Sequence, residues 1–272
     1  MARPKVLVLR AAGTNCDMET AFAFSEAGAA VERVHINQLK AKADNGRDRS
    51  LRDYHILALP GGFSYGDDLA AGKILANELK YTLADELKDF IKKGKLIIGI
   101  CNGFQILVKS GLLPGNSNSE QEVTLTINDS GKFEDRWTYL KSPQSTVHSP
   151  QIKCVWTSGL SEVIYLPVAH GEGKFIAKDK AVLERLENNG QVVLRYCDKK
   201  GNPAEYPDNP NGSENAIAGL ADQTGRIFGL MPHPERHSFG WQNPQWTRQG
   251  LKKEGDGLMI FRNGVEYARK LI

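Results

Sequence analysis

Leu96-Ile97-Ile98-Gly99-Ile100-Cys101-Asn102-Gly103-Phe104-Gln105-Ile106-Leu107-Val108 carries the fold assignment. Leu96 to Ile100 is an unbroken apolar run, the pattern of a strand covered on both faces. It runs straight into Cys101, and a helix is predicted to start at once, over Cys101 to Val108. Glycines stand two residues before and two after the cysteine. This is the logic of a nucleophile elbow, with a reactive side chain on a tight strand-to-helix turn. Small neighbours keep the approach clear and tolerate strained dihedrals. The helix amino terminus favours thiolate over thiol, and backbone N–H groups beside it can meet an oxyanion. The competing reading of Cys101 is a buried small hydrophobe, the commonest fate of an unpaired cysteine.

Outward from this stretch the same alternation repeats. Lys5 to Leu9 is a strand ending in Ala11-Ala12-Gly13-Thr14-Asn15, followed by a helix over Asp17 to Ala27 and a strand over Val31 to His35. Tyr54 to Leu59 is a strand that stops at Pro60-Gly61-Gly62. Helices are predicted over Leu69 to Leu79 and Leu83 to Ile91. Ile227 to Met231 is a strand ending at Pro232-His233-Pro234. In the last helix, from about Asp256, Leu258, Phe261, Val265, Ala268 and Ile272 share one face. The fold class is α/β, an open, mostly parallel twisted sheet with helices on both faces.

The middle of the chain differs. Glu122 to Asn128 alternates apolar and polar residues as a half-buried strand does. Shorter extended pieces are predicted near Trp137 to Lys141, Val163 to Ala169 and Gln191 to Tyr196, with a helix over Lys178 to Asn188. Together they predict an extended antiparallel elaboration of the sheet. Gly201 to Glu214, rich in Gly, Pro and Asn, reads as a surface loop. No repeat and no long polar linker interrupts the chain, so residues 1–272 are expected to form a single domain.

Composition sets the outer bounds. The 272 residues are 40% apolar and 25% charged, with a formal net charge of +3. That excludes a disordered chain, a collagen-like repeat and a disulfide scaffold. The basic residues form no long block, so no nucleic-acid partner is expected. Cys16, Cys101, Cys154 and Cys197 contain no CxxC pair and no clustered zinc site. No window approaches 18 uncharged apolar residues, and Met1 to Arg10 enters the first apolar run without a leader. No membrane span is expected, and the expected setting is the reducing cytoplasm.

A nucleophilic cysteine needs a base. His233 follows a predicted strand, and prolines on both sides fix its backbone. Glu235, two residues on, can accept the proton of the far ring nitrogen and stabilise the imidazolium. The carboxyl edge of such a sheet is where Cys101, His233 and Glu235 can meet. His237 is the rival base, without an acid at the same offset. Gly61-Gly62-Phe63-Ser64-Tyr65-Gly66-Asp67-Asp68 matches neither a Walker loop nor a dinucleotide loop. It suits the second wall of an oxyanion hole, although Asp67 and Asp68 could simply cap the next helix. His170-Gly171-Glu172-Gly173-Lys174-Phe175 is either a binding segment for substrate or partner, or a plain exposed turn. It is a poor metal signal, for want of a third ligand. His35, His55 and His148 read as structural or exposed.

These motifs together resemble the triad-type, class I glutamine amidotransferases of flavodoxin-like fold. Most closely they resemble one branch of that family, the PurQ-type glutaminase subunits of phosphoribosylformylglycinamidine synthases. The resemblance is carried by Thr14-Asn15-Cys16-Asp17, Gly61 to Asp67, Gly99 to Gln105, His170-Gly171-Glu172-Gly173 and Met231 to Arg236. It implies that Cys101 attacks the side-chain amide of L-glutamine, with His233 and Glu235 completing the triad, and forms a thioester that water hydrolyses. Backbone N–H groups of Gly62 or Phe63 and of Asn102 would form the oxyanion hole. Gln105, with Gly61 and Gly103, would contact glutamine. His170, Glu172 and Arg236 would serve a subunit interface or coupling. No metal or cofactor is implied for this chain. ATP and Mg²⁺ would belong to a large PurL-type synthetase that converts formylglycinamide ribonucleotide to the amidine in purine synthesis, and a small PurS-type third subunit is left open.

Two departures accompany the resemblance. Arg10-Ala11-Ala12-Gly13-Thr14-Asn15-Cys16 replaces the usual Phe-Pro before the glycine and Ser after it. The chain is also longer than the usual small subunit, with the excess placed in Gly201 to Asn215 and Phe239 to Glu254. There Trp241, Pro244 and Trp246 form either a docking surface or a closing segment packed on its own core. The alternative functions are the glutaminase of another ammonia-transferring synthetase, a stand-alone cysteine hydrolase of related fold, and a binding module with a relic site.

Overall fold

Side chains alternate between the two faces of a strand, so a strand with every residue buried must be covered on both. Five strands meet that description at their cores: β1 (Lys5–Arg10), β3 (Ile56–Leu59), β4 (Leu96–Ile100) and two late strands, Ile217–Ala221 and Ile227–Leu230. The computed structural model describes residues 2–39, 49–115, 120–142 and 154–272, and the expectation for His148 lies outside them.

The amino-terminal half follows the predicted alternation. α1 (Asp17–Glu26) follows β1, then come β2 (Ala30–His35) and α2 (Ile36–Leu39). After β3 the helix expected from Leu69 begins only at Lys73, as α3 (Lys73–Asn77), and runs on as a π-helical turn over Glu78–Thr82. The delay has a local cause. Gly72 sits at φ 73°, which no right-handed helix accommodates, and its N–H donates to Asp67 Oδ1 at 3.0 Å. α4 (Ala84–Lys92) precedes β4, and α5 (Asn102–Lys109) follows it directly.

The middle contributes β5 (Val123–Ile127), β6 (Glu134–Lys141), β7 (Val163–His170), β8 (Glu172–Ala177), α6 (Lys180–Asn188) and β9 (Val192–Cys197). β10 (Ile217–Ala221) and β11 (Ile227–Leu230) return to the centre, and α7 (Trp246–Gln249) and α8 (Leu258–Arg269) close the chain. The main sheet has nine strands in the order β2-β1-β3-β4-β11-β10-β9-β6-β7. From β2 to β11 neighbours are parallel. From β11 to β7 they are antiparallel. The antiparallel elaboration thus continues the same sheet, and β5 and β8 pair separately.

Two strands escaped the sequence reading. β8 lies inside the His170 segment, whose glycines suggested a turn. Gly171 is the turn, and the chain there leaves the main sheet for the small one. β10 reads Ile-Ala-Gly-Leu-Ala, a composition of low strand propensity that is overridden by pairing on both edges. The 201–214 segment is also less of a surface loop than its composition suggests. Asn209, Asn211 and Ser213 are buried. Asn211 Nδ2 donates to Gly173 O at 2.9 Å, and Ser213 Oγ accepts from Phe175 N at 2.9 Å, which pins β8 from outside.

The strand-to-helix junction is tight. A Cβ on Gly99 would lie 2.5 Å from Gly103 O, and one on Gly103 would lie 1.9 Å from Leu59 O. The two glycines therefore let the first turn of α5 sit directly on β4 and β3. α3 packs beside α5, and α1 meets α8 through Phe24 and Phe261, with ring centroids 4.9 Å apart.

Candidate active site

The parallel strands β1, β3, β4 and β11 end on one edge, and each hands over to a loop that carries a polar group. Cys101 is the first residue after β4. Its φ of 51° and ψ of −107° place a non-glycine residue in a sparsely populated region. Such a conformation costs about 1–3 kcal/mol and persists only when its surroundings impose it. Here the Cys101 N–H donates to Leu230 O at 2.8 Å, tying the elbow to β11. Cys101 also stands at the N-cap of α5, where the helix dipole favours negative charge on sulfur.

His233 enters from the end of β11. Its N–H donates to Pro167 O at 2.8 Å, so β7 clamps the loop. Its Nδ1 lies 2.6 Å from Glu235 Oε1, with both residues buried. A carboxylate can only accept, so Nδ1 carries the proton and Nε2 faces the sulfurs. Burial alone would lower the His233 pKa. The Glu235 carboxylate and then the Cys101 sulfur outweigh it, and the ring is held well above its ordinary value. A raised folded pKa stabilises the protein fully below the unfolded value of about 6.5, and the gain is lost as pH rises through the folded pKa. Glu235→Gln is therefore expected to move the His233 titration midpoint downward and to cut turnover about 100-fold or more. Histidine-detected NMR across pH checks the midpoint, and an unchanged value would refute the role of the carboxylate. The rival His237 points elsewhere, with Nδ1 2.7 Å from Tyr165 O.

The structure brings a residue to this centre that sequence reasoning left unassigned. Ligand atoms of Cys16, His233 and Glu235 all lie within 4.8 Å of one another. A Cβ on Gly61 would be 2.9 Å from His233 Cε1, 3.1 Å from Cys16 Sγ and 3.4 Å from Cys101 Cβ, so Gly61 is the gap into which the centre packs. The available signal was position: Cys16 follows β1, whose carboxyl end shares this edge. The thiols differ in environment. Burial raises the pKa of Cys16, pushes Cys154 up to about 11 and pushes Cys197 up to about 12.

The N–H groups expected to form an oxyanion hole divide unequally. The Phe63 N–H, expected as a donor, is occupied by Gly13 O at 3.0 Å, because the loops after β1 and β3 zip together. Among the described residues the N–H groups of Gly62 and Asn102 have no backbone acceptor. The Asn102 side chain joins the two walls: Oδ1 accepts from Ser64 N at 3.3 Å, and Nδ2 donates to Asp67 Oδ1 at 3.1 Å and Gln105 Oε1 at 2.9 Å.

A cavity of about 470 Å³ opens over this centre, bordered by Cys101, Gln105, Phe133, His170, Glu172 and His233 among others. Gln105 was expected to bind glutamine, but both ends of its amide are engaged, Oε1 by Asn102 and Nε2 by Glu172 O at 2.6 Å. Gly103 is packed on Leu59 instead of facing the cavity. His170, expected at an interface, is 3% exposed and forms a cavity wall, so it presents nothing to a partner's surface. Arg236 is half-buried. It donates through Nε to Glu19 Oε1 at 2.7 Å and through Nη2 to Cys16 Sγ at 3.2 Å, linking the loop after β11 to α1. Trp241 is 56% exposed and stacks on Phe239 at 4.2 Å, which in turn meets Phe22, so this aromatic ladder faces outward. A larger cavity of about 710 Å³ lies beside the 201–216 segment, away from the triad.

Comparison with known proteins assigns the family. Residues 3–268 match the family described as the CobB/CobQ-like glutamine amidotransferase domain. A phosphoribosylformylglycinamidine synthase subunit PurQ from Dehalococcoides mccartyi is 50% identical over 273 residues, covering all of both chains. The Methanococcus maripaludis protein of the same name is 46% identical, covering 98% of each. The length that looked excessive is thus shared with these relatives. Among solved structures, a chain of PurLQS from Thermotoga maritima superposes with a TM-score of 0.71 at 32% identity, covering 98% of this chain and 99% of that one. By sequence and fold, the chain belongs to the CobB/CobQ-like glutamine amidotransferase family.

Proposed function

We propose that this chain is the glutaminase subunit of a phosphoribosylformylglycinamidine synthase. The observation that carries the reading is end-to-end identity of 50% with a subunit of that name. The cysteine, histidine and glutamate gathered at one sheet edge supply the chemistry.

The Cys101 thiolate attacks the side-chain amide carbon of L-glutamine. The oxyanion is met by the N–H groups of Gly62 and Asn102. His233, protonated and held so by Glu235, gives its proton to the amide nitrogen as the C–N bond breaks, and ammonia leaves. The resulting thioester is attacked by water. His233 takes the water's proton, glutamate departs, and Cys101 is regenerated. Glutamine and water are consumed, and glutamate and ammonia are formed.

The ammonia passes to a PurL-type synthetase that carries ATP and Mg²⁺ and converts formylglycinamide ribonucleotide to the amidine. A PurS-type third subunit fits the same scheme, since the similar Thermotoga maritima chain comes from a structure of PurLQS. Among the described residues no helix is long and apolar enough to cross a membrane, and we place the reaction in the cytoplasm.

Incubation with a glutamine-analogue electrophile, followed by mass spectrometry, tests the reading. The expected result is one adduct, on Cys101, formed faster when the synthetase is present. Labelling of Cys16, Cys154 or Cys197 with Cys101 untouched would overturn the mechanism.

A further inference from the structure

His170 ends β7 one residue after Ala169, whose carbonyl lies 3.8 Å from Cys101 Sγ. Its tautomer is settled by Asn128. Asn128 Nδ2 donates to Lys132 O at 2.9 Å and to His170 O at 2.8 Å, which fixes the orientation of that amide. Asn128 Oδ1 accepts from Gly173 N at 3.0 Å and lies 3.2 Å from His170 Nδ1. An amide oxygen can only accept, so Nδ1 carries the hydrogen and Nε2 bears a bare lone pair. Among the described residues that Nε2 is buried and has no hydrogen-bond partner. The ring lies flat on Gly173, where a Cβ would come within 2.4 Å of it.

A buried, unpaired acceptor is costly unless something satisfies it. The Gln105 amide, which borders the same cavity, is already engaged by Asn102 and by Glu172 O. His170 remains neutral, because burial and then the nearby His233 lower its pKa to about 3. It can therefore accept a hydrogen bond at Nε2 without taking the proton.

We propose that His170 Nε2 accepts an N–H of the departing side-chain amide of glutamine. This inference rests on the glutaminase reading of the same site. The contact turns the nitrogen lone pair toward the His233 proton as the C–N bond lengthens. It then holds the product as neutral ammonia. The amide nitrogen is the donor group at the reacting end, and His170 borders the same cavity as Cys101 and His233. The α-ammonium of glutamine is the other donor the substrate carries.

The test compares glutamine with glutamate γ-methyl ester, whose leaving group has no N–H, using the full chain with its synthetase. His170→Phe is expected to lower kcat on glutamine about 10-fold or more with KM little changed. Ester hydrolysis should change less than about 3-fold, and His170→Gln, which keeps an acceptor, should recover part of the loss. Equal losses on both substrates would overturn the proposal, as would a change in KM alone, which marks an α-ammonium contact. A second measurement leaves position 170 intact. In Cys101→Ala protein, the His170 Nε2 resonance in ¹⁵N NMR should move upfield with glutamine and stay put with the ester. No movement with bound glutamine overturns it. Native protein that hydrolyses neither substrate would instead refute the glutaminase reading itself.

Discussion

Cys101→Ala is expected to abolish glutamine hydrolysis, with a loss of at least about a thousandfold. The thioester cannot form without the sulfur, and Cys16, the other thiol near His233, is a poor substitute. Cys16 is the nearest candidate, but burial raises its pKa, and its sulfur is engaged by Asn15 and Arg236. The fold should survive, because alanine fills most of the same space. Ammonia-dependent synthesis by the complex should survive too, since added ammonia bypasses the thioester. Glutamine-dependent and ammonia-dependent rates measured side by side check this. Retained glutamine-dependent synthesis would remove Cys101 from the mechanism. Cys101→Gly adds a second readout. Glycine tolerates φ 51° at no steric cost, so that variant should be at least as stable as the alanine variant while equally inactive.

Gly103→Ala is expected to be the most damaging single methyl addition among the glycines of this motif. The new Cβ would sit 1.9 Å from Leu59 O and 2.7 Å from Leu59 C, and both are backbone atoms of the central strand β3. A flexible side chain could yield, but a paired strand cannot without breaking its ladder. The expected destabilisation is more than about 3 kcal/mol, or failure to fold. Gly171→Ala is the control. Its Cβ would meet nothing closer than Phe133 Cδ2 at 3.9 Å, and a change within about 0.5 kcal/mol is expected. Denaturant unfolding of both variants decides, and similar values for the two would refute the close-approach argument.

The same glycine shows how the sequence informs and where it stops. Two small residues flanking Cys101 suggested freedom of approach and relief of strain. The packing adds a different reason. Neither glycine is there for its dihedrals. Gly99 and Gly103 let a helix lie on the sheet with almost no gap, and the strain falls on Cys101 itself. Likewise Gly61 looked like a glutamine contact, and it is the space that His233, Cys16 and Cys101 share. In both cases the residue type was legible and the neighbour that required it was not.

Polar roles were legible in proportion to how local they are. His233 and Glu235 are two residues apart, so their hydrogen bond could be read from spacing. The parallel half of the sheet follows from buried apolar runs separated by helices, because that periodicity is written into each segment. The elbow at Cys101 needed only the strand before it and the helix after it.

What only the tertiary structure decided are partnerships between segments far apart in the chain. Asn128 fixes the tautomer of His170 from 42 residues away. Gly13 O takes up the Phe63 N–H, and Arg236 reaches Glu19 and Cys16 across more than two hundred residues. Hydrogen bonds impose no spacing in sequence, and a buried group takes whichever partner the packing brings within about 3 Å. The sequence by itself determined the α/β alternation, the elbow and the histidine–glutamate pair, because each is encoded over a few neighbouring residues. Which donors and acceptors in the cavity remain free for a substrate was decided by the fold, because that depends on every loop ending at one edge of the sheet.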